Sequence, residues 1–129
     1  MLSPKLIFIS GSILGFLSVA LGAFGAHAFK DFLGASNRLG TYETAVQYQM
    51  YHALALVLTA LLAFQFPKTD FSWVALCFLF GVVVFSGSLY ILCATGIRWM
   101  GAITPLGGLG FLAGWILLAI KANCFRMQI

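Results

Sequence analysis

Four apolar stretches, separated by short polar breaks, make up most of the 129-residue chain. They run over about residues 6–26, 42–66, 71–95 and 99–120. Each reaches the ~20 residues that a helix needs to cross a bilayer. Only PKTD (Pro67 to Asp70) separates the second from the third, and only GIR (Gly96 to Arg98) the third from the fourth, so these neighbours must run antiparallel. The first connection, HAFKDFLGASNRLGT, is longer and charged, and a short interfacial stretch is expected around Phe29 to Leu33. Thr41 is the expected N-cap of the second helix, with Thr44 standing where a full capping box would place Glu or Gln. The pattern predicts an all-α fold: an integral membrane four-helix bundle forming one domain over residues 1–129, with short connections and one longer loop between helices 1 and 2.

Composition strengthens this picture. The chain is 62% hydrophobic and 8% charged, where a soluble domain carries about a quarter charged residues. A water-soluble fold of this size could not hide so much apolar surface. The net charge of +4 is spread without a basic run, so a nucleic-acid partner is not expected. Lys5, an apolar run and AHA at positions 26 to 28 resemble a secretory signal. That run exceeds the ~7–15 residues of a signal core, so it is expected to remain as the first span. Lys5, Lys68, Lys121 and Arg126 fall on the side of the termini, and Lys30, Arg38 and Arg98 on the other. The small excess favours both termini in the cytoplasm. Cys77, Cys93 and Cys124 form no CxxC pair and read as small apolar packing groups.

Small residues mark helix faces. Gly11, Gly15, Ser18 and Gly22 follow the 4-3-4 spacing of one face of the first segment, and Gly107, Gly110 and Gly114 share a face of the fourth. Such faces let helices approach closely in lipid, either within the bundle or across a homo-oligomer seam. Trp73 and Trp99 read as interface anchors.

The second segment opens unusually, with TYETAVQYQMYHALAL at residues 41–56. At about 100° per residue, Glu43, Thr44, Gln47, Tyr48, Tyr51 and His52 occupy one half of the helix, and that half is expected to face protein. The other half carries Ala45, Val46, Met50 and Ala53, interrupted by Gln49. Counting from the segment ends sets His52 level with Ser86 and Tyr48 level with Tyr90. Thr104, with Pro105, and His27 close the same end. The expected cluster is therefore His27, Glu43, Gln47, Tyr48, His52, Ser86, Tyr90 and Thr104, gathered in one half of the bilayer. Polar groups isolated in hydrocarbon cost several kcal/mol unless paired.

Three functions fit such a cluster: hydrogen-bonded glue between helices, a cleft for a lipid, quinone-like molecule or partner helix, and a proton or ion path through Glu43, His52 and His27. Catalysis has little support, because HExxH, GxSxG and phosphate-loop patterns are absent. Two histidines 25 residues apart with one glutamate make a poor metal site, and no cofactor is implied. The leading expectation is a non-enzymatic membrane protein that binds a partner subunit or a membrane lipid. A small transporter, and then a membrane enzyme, are the alternatives.

LGAFGAHAF, TYETAVQYQMYHALAL, SGSLY and GIRWMGAITPLGGLGFLAGW occur in this order along the chain. Together they resemble the bacterial small membrane proteins of domain-of-unknown-function family 423, which is related to the transmembrane protein 256 group. The resemblance covers nearly the whole chain. It implies four transmembrane helices and a bacterial inner membrane, and it implies no activity.

Overall fold

The computed structural model describes residues 1–125 and is helical throughout its ordered elements. Helix α1 spans Pro4–Ala26, a short α2 spans Lys30–Ala35, α3 spans Leu39–Gln65, α4 spans Ser72–Thr95 and α5 spans Met100–Lys121. The four long helices are long and apolar enough to cross a membrane; α3 has the lowest mean hydropathy, 1.3, and α4 the highest, 2.3.

Local chemistry sets the ends. Ser3 caps α1, its hydroxyl accepting from Leu6 N at 3.2 Å, and Pro4 fills the first turn, where its missing N–H is no loss. The expected interfacial stretch is α2. It ends in a left-handed residue, Asn37 (φ 54°). Asn37 N bonds Gly34 O at 3.1 Å and Arg38 N bonds Leu33 O at 2.9 Å, the paired reach-back bonds of a Schellman stop. This turn feeds the chain directly into α3, which therefore begins at Leu39, earlier than the expected start near 42. Arg38 occupies the cap position without a side-chain bond, and Thr41 lies inside the helix rather than capping it. Between α3 and α4, the Asp70 carboxylate accepts from Ser72 N at 2.9 Å. The Ser72 hydroxyl and amide together hold that carboxyl below the usual range. Gly96 ends α4 at φ 75°, a conformation that disfavours any side chain.

The helices pack in two pairs. α1 lies mainly on α3, and α5 mainly on α4, with α3 and α4 joining the pairs. A Cβ placed on Gly11 would lie 2.8 Å from Ala53 O, so this glycine sets the α1–α3 approach. Gly22 faces Val46, Gly15 only grazes Ala53, and Ser18 is buried with its hydroxyl returned to Leu14 O. Gly110 and Gly114 lie against Phe80 and Phe78 of α4. The small-residue faces expected from the sequence are thus used inside the chain. Gly107 approaches the backbone of Phe85, which sits in a π-helical turn, Val82–Ser86, within α4. Pro105 is accommodated inside α5. Trp73 and Trp99 are exposed at opposite ends. Among the cysteines, Cys93 is buried and Cys77 half-buried. Arg126, one of the four cations counted on the terminal side, lies outside the described residues.

Candidate functional site

The buried polar groups form small networks that tie helices together. Gln49 is the hub. Its Nε2 donates to Leu14 O on α1 at 3.1 Å, and its Oε1 accepts from Tyr90 OH on α4 at 2.8 Å. Tyr42 OH donates to Leu21 O at 2.5 Å, and its ring meets Tyr90 edge-on at 5.6 Å. Ser86 Oγ donates to Ala45 O at 2.7 Å. Ser88 Oγ and Thr104 Oγ1 are 2.7 Å apart and join α4 to α5.

His52 is enclosed. Trp115 Nε1 donates to its Nε2 at 3.1 Å, and its Nδ1 lies 2.8 Å from Tyr48 O. An indole N–H can only donate. Nε2 must therefore be the bare nitrogen and Nδ1 the protonated one, giving a neutral imidazole with both nitrogens engaged. The ring stacks on Phe111, with centroids 3.5 Å apart. Among the described residues, every buried side-chain nitrogen and oxygen has a hydrogen-bond partner.

This arrangement corrects the expected cluster in three ways. First, α3 is turned. Tyr42, Ala45, Gln49, His52, Ala53 and Leu56 face inward, whereas Glu43, Gln47, Tyr48 and Tyr51 are exposed. Gln49, assigned to the apolar half, is the buried glutamine, and Gln47 is not. The reason is size. Ala45, Ala53 and Ala60 leave room for neighbouring helices, while Leu54, Leu58 and Leu61 cover the outer face. Small residues beside Gln49 and His52 were the sequence signal that located the inner side.

Second, α3 and α4 are offset. His52 lies opposite Phe78, and Ser86 opposite Ala45. Relative to the expected His52–Ser86 level this is a slide of about seven residues, or roughly 10 Å at 1.5 Å per residue. Third, His27 is exposed at the end of α1 and joins none of these networks. His52, Ser86, Tyr90 and Thr104 are thus brought into the interior, through separate partners. Tyr48 packs on Phe85 at 4.7 Å from the bundle's edge, and Glu43 and Gln47 look outward.

Beside the Gln49–Tyr90 pair lies a cleft of about 420 Å³, lined by Phe29, Phe32, Leu33, Tyr42, Tyr90, Cys93 and Ala94. Sequence reading missed it, because its roof is the α2 segment, folded back by the turn at Asn37. Its volume falls within the ~300–1,000 Å³ of ligand-sized pockets. The two hydroxyls on its wall are already bonded to Leu21 and Gln49, so the cleft offers mostly apolar and aromatic surface. A smaller groove of about 260 Å³ runs along the α1–α3 seam, where Glu43 and Gln47 border Gly22 and Gly25.

Comparison with known proteins adds the following. A family model described as "Protein of unknown function (DUF423)" matches residues 21–108. A UPF0382 membrane protein of Staphylococcus haemolyticus is 45% identical over 121 residues, covering 94% of this chain and 98% of the relative. The UPF0382 membrane protein YwdK of Bacillus subtilis is 44% identical over 122 residues, covering 92% and 96%. The UPF0382 inner membrane protein YgdD of Escherichia coli is 38% identical over 121 residues, covering 94% and 92%. No solved structure matches.

Proposed function

Because this chain belongs to the DUF423 family of multi-pass bacterial inner membrane proteins, we propose a function exercised within the bilayer: non-enzymatic binding of a membrane lipid, with a hydrocarbon chain held in the cleft beneath α2. The observation that carries this reading is the cleft itself, apolar in lining, walled by Tyr42, Tyr90, Cys93 and Ala94 and bordered by Phe29, Phe32 and Leu33 at α2. The buried network supports it by a different route than the sequence implied. Its members spend their hydrogen bonds on one another and on backbone carbonyls of the bundle, so they fix the walls rather than grip a ligand. The enclosure of His52 likewise argues against a proton path, since both ring nitrogens serve the chain's own groups.

Native mass spectrometry from a gentle detergent tests the proposal. The wild-type protein is expected to retain a lipid. Ala94→Trp, which fills the cleft from its α4 side, is expected to lose it with little change in thermal stability. A wild-type protein that carries no lipid, or an Ala94→Trp protein that keeps one, would refute the reading.

One observation favours a second reading, a partner helix or second copy. Glu43, Gln47 and Tyr51 recur at four-residue intervals on the exposed face of α3, where Leu54 and Leu58 continue the stripe toward the other leaflet. A glutamine amide is both donor and acceptor and can pair with its own copy across a two-fold axis. In a background lacking the native cysteines, Gln47→Cys is expected to crosslink to itself in membranes, and Val83→Cys, exposed elsewhere, is not. Equal crosslinking at both positions would discard this reading.

A further inference from the structure

We infer that the lipid held in the cleft is an anionic phospholipid, its acyl chain beneath α2 and its phosphate on Arg38. This rests on the cleft reading above and adds the headgroup. Arg38 does not line the cleft but is tied by its backbone to two residues that do. Its backbone N bonds Leu33 O at 2.9 Å, and its backbone O accepts from Cys93 Sγ at 3.8 Å; Leu33 and Cys93 both line the cleft. Its guanidinium lies over Gly96, two residues beyond the lining residue Ala94. A Cβ on Gly96 would sit 2.8 Å from one terminal nitrogen of Arg38, so the absent side chain makes the space. These hydrogen bonds run through the backbone of Arg38 and leave the five-donor fork of its side chain for other partners. That fork matches the two oxygens of a phosphate.

Charge around the rim has the same sense. Lys30 on α2 and Arg98 just after α4 stand on the elements that frame the cleft, with Asp31 the acid among them. The remaining acid of this end, Glu43, borders the separate groove along the α1–α3 seam. On the elements that frame the apolar cleft, the cations Lys30, Arg38 and Arg98 thus outnumber the one acid, Asp31. Basic pockets at the membrane surface favour anionic headgroups, by about a fivefold gain for each well-placed cation.

The test uses the full chain, stripped of lipid by detergent exchange and titrated with phosphatidylglycerol or phosphatidylcholine of identical acyl chains, with bound lipid counted by native mass spectrometry. Wild type is expected to prefer phosphatidylglycerol by about five- to tenfold, and the preference should shrink as salt is raised. Arg38→Gln should bind both lipids alike, Arg38→Lys should keep part of the preference, and Ala94→Trp should bind neither. Equal binding of the two lipids by wild type overturns the anionic headgroup and leaves the cleft reading standing. Binding of neither overturns the cleft reading as well. If Arg38→Gln fails to fold, the wild-type ratio and Ala94→Trp still decide. A preference that survives in Ala94→Trp would put the phosphate elsewhere and overturn the inference.

Discussion

Gly107→Ala is expected to destabilise the bundle by about 1–3 kcal/mol, the usual range for overpacking a tight contact. A methyl group there would lie 2.7 Å from Phe85 Cα and closer still to Phe85 N. Main-chain atoms cannot swing aside as a side chain can, so α5 must retreat from α4. The retreat would strain the Ser88–Thr104 and Trp115–His52 bonds on either side. The neighbouring position supplies the control. A methyl group on Gly108 would meet Phe85 Cδ2 at 4.0 Å, an ordinary contact. Alanine favours helix over glycine by roughly 0.5–1 kcal/mol in soluble proteins, so Gly108→Ala should be neutral or slightly stabilising. Thermal unfolding of the two variants in the same detergent measures the difference. Indistinguishable melting temperatures would mean that α4 and α5 do not meet at Phe85.

The second large effect is expected at Gln49. Gln49→Leu leaves Tyr90 OH without its partner in a medium of low polarity and removes the α3 donor from Leu14 O, which keeps only the Ser18 hydroxyl of its own helix. Each interhelical hydrogen bond in a membrane protein averages ~0.6 kcal/mol and reaches ~1.7, and stranding a buried polar group costs about 1–3 kcal/mol. A loss of about 2 kcal/mol is expected. Gln47→Leu, two residues away, should leave the stability of the isolated chain unchanged, because its side chain looks outward. If both variants melt together, or Gln47→Leu is the weaker, the orientation of α3 described above is wrong.

These two positions also show what the sequence could and could not disclose. The four spans were legible because twenty apolar residues in a row have one stable use in a chain of this composition. The glycine faces were legible for a similar reason: closeness needs small side chains, and Gly11 and Gly107 are indeed where backbones come nearest. The face of α3 was harder. Tyr42, Gln49 and His52 lie on one side, and Glu43, Gln47 and Tyr51 on the other. Polarity alone cannot choose between two polar stripes. The choice lay in side-chain volume, with alanines lining one stripe and leucines extending the other. Register was beyond reach. A four-residue turn shows that two helices are neighbours, but where each helix starts depends on caps. Here a left-handed Asn37 set the start of α3, and a one-residue shift in helix ends moves every pairing across the seam. The cleft was hidden for the same reason, since its roof depends on how α2 folds back.

The pairing of α1 with α3 and of α4 with α5 divides the protein into two halves. Each pair is contiguous along the chain, so each can close its own hydrogen bonds without the other. Tyr42–Leu21 and Gln49–Leu14 close within the first hairpin, and Ser88–Thr104 within the second. Ser86–Ala45, Tyr90–Gln49 and Trp115–His52 form only when the two meet. Joining the two half-bundles is therefore what gives the His52 imidazole and the Trp115 indole their partners across the seam.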